Sequence, residues 1–219
     1  MDDTTPTIPI KCLKCEKELG SPVVCTECRT LYPTPRSADY FDLLGLTRSY
    51  SIDEAQLDAA FRALTRNIHP DRFSDQPNEV RALSTRLSAE INEAYVILKS
   101  PVQRAAYMLE SAGGPSSAAM RDVPGDLLTE VMMIREQIEE ASAAGDKRGT
   151  DGIRESLMAR RADFMDRIAD RADQLAACSD DEKKDMRRWL NAVKYLDNLL
   201  DELVVDPLAT TTEATHGRA

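Results

Sequence analysis

An all-α fold is what this sequence predicts, in three parts: a small cysteine-rich module, a compact helical unit and a three-helix antiparallel bundle. Three observations carry that expectation. Apolar residues recur at spacings of three and four along most of the chain beyond residue 38, which is helical periodicity. Aromatic residues make up 5% of the 219 and only nine are glycine, which weakens any reading built on short strands and tight turns. Four of the five cysteines fall early in the chain as two C-x-x-C units.

The first part, 1–36, ends in "YPTPR", a proline-rich linker signal. Within it, "CLKCEKELGSPVVCTEC" has the form C-x2-C-x9-C-x2-C. Cys12, Cys15, Cys25 and Cys28 then present four thiolates that can close tetrahedrally around Zn2+. Such a site has no open position, so the predicted zinc is structural; rubredoxin-like iron is the lesser reading. A segment with so few apolar residues needs a staple of this kind to fold. The glycine common after such knuckles is absent, and Glu16 and Arg29 stand there instead. A nucleic-acid-binding zinc ribbon is the remote alternative, because five basic and five acidic residues in 1–36 leave no cationic surface. Cys178 stands alone near a helix end and is assigned no role.

The second part, 38–112, opens with "ADYFDLLGL", a short helix stopped near Gly45. Ser51 and Glu54 form an S-x-x-E capping box for the next helix, whose apolar stripe is Leu57, Phe61, Leu64 and Ile68. Pro70 stops that helix, since proline has no amide hydrogen and disfavours helical geometry in the residue before it. A third helix begins near Asn78 and carries Val80, Leu83, Leu87, Ile91, Ala94, Tyr95 and Leu98. Pro101 opens a fourth, "SPVQRAAYML".

The turn-rich segment 113–125 connects to three longer helices within 126–206. The first spans about 127–141 with Leu127, Val131, Ile134 and Ile138 on one face. The second spans about 153–177 with Ile153, Leu157, Phe164, Ile168 and Leu175. The third spans about 181–205 with Met186, Leu190, Val193, Leu196, Leu200 and Leu203. One apolar stripe each and short connections make an antiparallel bundle. The tail, 207–219, has little to bury and is expected to be disordered.

Lys plus Arg number 28 against 38 Asp plus Glu, a net charge of −10. That balance argues against a surface made for nucleic acid or anionic lipid. No apolar run approaches a membrane span, and "MDDTTPTIPI" resembles neither a signal peptide nor a transit segment. The expected location is the bacterial cytoplasm, or the mitochondrial matrix for a processed eukaryotic protein.

"RALTRNIHPDRF" invites an enzymatic reading, with Asp71 orienting His69 as a general base. No nucleophile or metal motif accompanies the pair in the sequence. Arg62 and Arg66, one turn apart, lead up to it instead. A cationic strip ending in a rigid tip suits docking onto an acidic partner better than turnover. The stretch "YFDLLGL…AFRALTRNIHPDRF…INEAYVILKSPVQRAAYML", over about 39–109, resembles a J domain. The resemblance implies that His69, Pro70 and Asp71, supported by Arg62 and Arg66 and with Arg72 beside them, contact a DnaK-type ATPase chaperone and stimulate its ATP hydrolysis.

The continuation, "RAAYML" and then "LLTEVMMIREQIEE" and "WLNAVKYLDNLLDEL", is similar to the HscB-type co-chaperones of iron–sulfur cluster assembly, some of which carry an N-terminal four-cysteine zinc module. Leu128, Met132 and Met133 make a second apolar edge beside the core stripe, with Glu136 one turn below Met132. The resemblance implies that Leu128, Met132 and Glu136, with Lys194 and Tyr195 on the last helix, bind an IscU-type scaffold. Thr129 and Met133 depart from the family pattern, which more often has an apolar and an acidic residue there. The implied function is that of a non-enzymatic adaptor between scaffold and DnaK/HscA-type chaperone, with no nucleic acid and no membrane as partner. A zinc-containing J protein for another client is the nearest alternative.

Overall fold

The computed structural model describes residues 11–35, 37–125 and 127–203. The expected disordered tail lies outside them. Two compact units divide the chain at 104/105. That division falls inside α4 (Pro101–Ser111) rather than after residue 112. Among the described residues the fold is helical, with two isolated β-bridges and no strand. No helix among them is long and apolar enough to cross a membrane.

In the N-terminal unit, α1 (Tyr40–Leu44) is capped at its start by Asp39 and Asp42, which bond reciprocally to each other's backbone amides. Gly45 ends it at φ 64, a left-handed geometry that suits glycine. The amides of Gly45 and Leu46 close back on the carbonyls of Asp42 and Phe41 at 3.1 and 2.9 Å.

The next helix, α2 (Glu54–Ile68), starts later than the Ser51/Glu54 box implies. Its N-cap is Asp53, whose carboxylate accepts from the amides of Ala55 and Gln56 at 2.9 and 3.4 Å. A carboxylate gains more than a hydroxyl at the positive end of a helix. Leu57, Leu64 and Ile68 are buried, together with Leu87, Ile91, Ala94 and Leu98 of α3 (Asn78–Lys99), and the two helices pack on each other. Phe61 and Tyr95 are only half-buried: their rings stack at 4.0 Å, and the Tyr95 hydroxyl donates to Asp58 at 3.0 Å. Lys99 also donates to Asp58, at 2.8 Å, and the Lys99 and Tyr95 bonds together hold that carboxyl below its ordinary range.

In the C-terminal unit, α5 (Leu127–Ala144), α6 (Lys147–Ala172) and α7 (Asp180–Glu202) form the bundle. Ion pairs fix its directions. Glu130 of α5 meets Arg160 of α6, while Arg161 and Arg171 of α6 meet Asp197 and Glu182 of α7. Partners advance on one helix as they retreat on the other, so α6 runs antiparallel to α7. Ala141 of α5 lies against Gly149 of α6 as Glu130 lies against Arg160, so α6 is also antiparallel to α5, and α5 and α7 run the same way.

Three helices of the bundle differ from expectation in their bounds. The first is α5, which continues to Ala144 and ends at Gly145 (φ 65). The second is α6, which begins six residues before Ile153, at a polar turn that apolar periodicity cannot register. Asp146 caps it by accepting from the Gly149 amide at 3.1 Å, and a Cβ at Gly149 would collide with that carboxylate. This helix also ends at Ala172, five residues early, in turns closed by Gln174 and Ala177 amides. The third is α7, which starts at Asp180 under a Ser179–Glu182 capping box. Its stripe ends on buried Leu199 rather than on Leu200, which is half-buried.

Buried Arg187 explains why the second unit takes in the end of α4. Its guanidinium donates to the Pro115 carbonyl and the Glu110 carboxylate, both at 2.7 Å. One turn on, Asn191 donates to the carbonyls of Met120 and Asp122 at 3.0 and 2.9 Å. The 113–125 segment is thereby strapped to α7. Arg187→Met is expected to cost about 2–4 kcal/mol, because one carbonyl and one carboxylate lose their charged donor. Urea unfolding of the bundle checks this.

Candidate functional site

Four sulfurs come together at the N-terminal end of the described chain. The Sγ atoms of Cys12, Cys15, Cys25 and Cys28 all lie within 4.8 Å of one another. Cys12 and Cys28 are 3.4 Å apart, and Cys15 and Cys25 3.6 Å. A tetrahedral zinc with Zn–S bonds of about 2.3 Å has S–S edges of roughly 3.8 Å, so the donor set fits such an ion. Two like-built knuckles position the four sulfurs. The Glu16 and Arg29 amides donate to the Cys12 and Cys25 carbonyls, each at 2.9 Å, and short bridges Lys11–Glu18 and Val24–Leu31 close the loops.

The sulfurs differ in charge. Cys12 is pulled down to about 5, chiefly by the Tyr32 hydroxyl, and Cys28 is lowered chiefly by that of Thr30. The Lys17 amide favours ionised Cys15, yet burial and the neighbouring cysteines outweigh it and push Cys15 up to about 12. Four thiolates this close need a cation to ionise together, and a divalent ion supplies that charge.

Glu16 (φ 59) and Arg29 (φ 56) occupy the left-handed position where the sequence lacks glycine. Both are exposed, so their side chains offset little of that strain. Glu16→Gly and Arg29→Gly are each expected to stabilise the module by about 1 kcal/mol, less glycine's own entropic cost. Chelator competition for the bound metal reads the gain.

The His-Pro-Asp turn lies where α2 stops. His69 leaves the helix at φ −53, ψ 129, and Pro70–Phe73 form a single 3-10 turn rather than an open loop. Phe73 is buried beneath it. Ser84 of α3 donates to the Ile68 carbonyl at 2.5 Å, anchoring the helix end. The Asp71 amide donates to His69 Nδ1 at 3.3 Å, which leaves Nε2 as a hydrogen-bond donor. Phe61, Arg62, Thr65, Arg66, His69 and Asp71 line an open cleft, with Arg72 at its rim. Pro70 faces a second hollow, with Arg81 and Asn78, and Asp71 borders both. Arg62, Arg66 and Arg72 form no ion pair among the described residues. Beside His69 lie cations, an aromatic ring and Thr65, an arrangement complementary in charge and polarity to an acidic, partly apolar surface. Phe61 and Thr65 are additions to the expected set. Sequence periodicity assigned Phe61 to the core, and nothing local marks it as half-exposed.

On the bundle, Leu128, Met132 and Met133 are 52%, 69% and 59% exposed, and Tyr195 is 38% exposed. They are four of the seven large apolar side chains exposed among the described residues, so the patch is a concentration rather than scatter. Glu136 and Lys194 are exposed as well. Arg135 of α5 bonds Glu202 of α7 at 2.9 Å. Seven residues back on each of these co-directional helices stand Leu128 and Tyr195, which puts the two at one level on adjoining edges. Arg135 and Glu202 are a tie that the sequence reading missed.

A DnaJ domain model matches residues 39–107, over the helices that frame the His-Pro-Asp turn. The HSCB C-terminal oligomerisation domain model matches 123–204, which is the bundle. These define a J-domain co-chaperone. The co-chaperone protein HscB homolog of Azoarcus sp. (strain BH72) is 38% identical over 109 residues, 49% of this chain and 62% of that protein. This chain therefore aligns with less than two thirds of the bacterial relative. The iron–sulfur cluster co-chaperone protein HscB of Mus musculus is 27% identical over 203 residues, covering 90% of this chain and 82% of that one. The crystal structure of human co-chaperone protein HscB superposes with a TM-score of 0.72 at 25% identity, over 91% of this chain and 99% of that one. Chaperone HscB from Vibrio cholerae gives 0.66 at 26%, over 76% and 96%. The chain thus joins a DnaJ domain to an HSCB C-terminal domain, the layout of an HscB-type J co-chaperone, behind an N-terminal four-cysteine module.

Proposed function

We propose that this protein is a non-enzymatic adaptor that delivers an IscU-type iron–sulfur scaffold to a DnaK/HscA-type ATPase chaperone and stimulates ATP hydrolysis there. The observation that carries this reading is the pair of docking faces, one on each unit: a cationic cleft ending in His69–Pro70–Asp71, and the apolar patch of α5 and α7. In this reading 1–36 is the zinc module, 38–112 the J domain and 126–206 the scaffold-binding bundle. Arg62 and Arg66 hold an acidic face of the chaperone, and the His-Pro-Asp tip enters it. Leu128, Met132 and Tyr195 bury apolar scaffold surface, while Glu136 and Lys194 set its register by charge. The chemistry happens in the partner's active site.

By linkage, holding both partners at once favours the complex in which hydrolysis locks the client onto the chaperone. Zn2+ in the four-cysteine site is structural. The compartment is one where these partners meet, the bacterial cytoplasm or the mitochondrial matrix. Met132→Ala with Tyr195→Ala is expected to weaken scaffold binding by about 2–4 kcal/mol, or roughly 30- to 1,000-fold, as truncated interface anchors do. Calorimetry with an IscU-type scaffold measures it, and unchanged affinity would point to a different client.

A further inference from the structure

We propose that Tyr32 and Thr30 are positioning residues of the four-cysteine centre, each donating a hydroxyl hydrogen bond to one ligand sulfur and so setting how tightly the metal is held. The inference rests on the metal-centre reading and adds to it the side chains that tune the ligands.

The direction of the Tyr32 bond follows from its partners. Its hydroxyl oxygen lies 2.9 Å from the Leu13 amide and 3.1 Å from Cys12 Sγ. An amide can only donate, so the oxygen accepts there and its single hydrogen is left for the sulfur. A metal-bound thiolate, which can only accept, completes the set. The Tyr32 backbone is anchored beside the second knuckle, because its own amide donates to the Val23 carbonyl at 2.8 Å. The side chain therefore reaches from beyond the second knuckle back to the first, and links the two halves of the centre.

Thr30 plays the matching part on the second knuckle, with its hydroxyl 3.1 Å from Cys28 Sγ. Its backbone carbonyl accepts from the Cys25 amide at 3.0 Å, which fixes the residue beside the ligand pair. Each knuckle thus has one sulfur with a hydroxyl donor. Cys15 and Cys25 have no hydroxyl partner among the described residues. Four thiolates around a divalent ion leave a net charge of −2, and outer hydrogen bonds disperse it.

Removing such a partner from a metal ligand lowers affinity by roughly 10- to 100-fold. Tyr32→Phe keeps the ring and Thr30→Val keeps the shape, so each removes the hydroxyl alone. The experiment uses the full chain, with Zn2+ affinity read by chelator competition and the thiolate-to-metal charge-transfer band read after Co2+ substitution. Each variant is expected to bind Zn2+ about tenfold more weakly and to shift the Co2+ band to lower energy, because an undonated sulfur holds its electrons less tightly. Thr30→Ser is expected to restore both. Unchanged affinity and band would overturn the inference, as would weaker binding with an unmoved band, which would mean the hydroxyls support only the loop. A wild-type chain that binds neither ion would overturn the metal centre itself, and the inference with it.

Discussion

Replacing His69 by glutamine is expected to return the ATPase rate of a DnaK-type chaperone to its basal value while leaving this protein folded. The His69 side chain is 52% exposed; its Nδ1 accepts from the Asp71 amide at 3.3 Å and lies 3.5 Å from the Asp71 carboxylate, which is itself 90% exposed. A glutamine carbonyl can accept the same amide. The cost to stability is therefore about that of an ordinary surface substitution, within roughly 0.5 kcal/mol. What glutamine cannot supply is the ring and its Nε2 donor at the tip of a turn held rigid by Pro70, buried Phe73 and the Ser84–Ile68 bond. Single-turnover hydrolysis with the variant measures the loss, and circular dichroism checks the fold. Stimulation equal to wild type would contradict the role given to this turn.

Stripping the metal with a chelator is expected to unfold residues 11–35 and to leave the helices of both units standing. The buried apolar residues of this segment are few and small, Cys12, Pro22, Val23, Val24, Cys25 and Pro35, and its knuckles are held by backbone bonds at strained residues. Structural zinc supplies apparent binding energies of about 10–16 kcal/mol in peptides of this kind, and that energy is folding energy. The helical core of Leu57, Leu87, Ile91 and Leu98 does not draw on it. Thr34 bonds to Glu90 of α3, so some loss of protection at that point of contact accompanies the change. Hydrogen exchange followed by residue reads the result. Protection of 11–35 that survives chelation, or that survives Cys25→Ser, would show that the module folds without a metal.

Where a local rule governs, the sequence was a good guide. Gly45, Pro70 and Pro101 each mark a helix boundary within a residue or two, because a left-handed cap or a missing amide acts on its immediate neighbours. The C-x-x-C spacing likewise places four sulfurs through short-range turns. Competing caps misled it: Ser51 and Asp53 both qualify as a helix start, and only the realised bonds decide for Asp53. Periodicity failed where no apolar residue reports the helix, as at the polar first turns of α6. It also mistook Phe61 for plain core, since the Tyr95 stack and the cleft face depend on a residue 34 positions away. The Arg187 strap, the Arg135–Glu202 tie and the Tyr32 hydroxyl on Cys12 are long-range pairings of the same sort, and no spacing announces them.

In the proposed function, one chain couples scaffold binding to a chaperone's ATPase. The most direct test is the hydrolysis rate of a DnaK/HscA-type chaperone with this protein alone, with an IscU-type scaffold alone and with both. The account predicts that the two together stimulate well beyond the sum of their separate effects, and that Met132→Ala with Tyr195→Ala removes the excess. A combined rate no greater than that sum would contradict it.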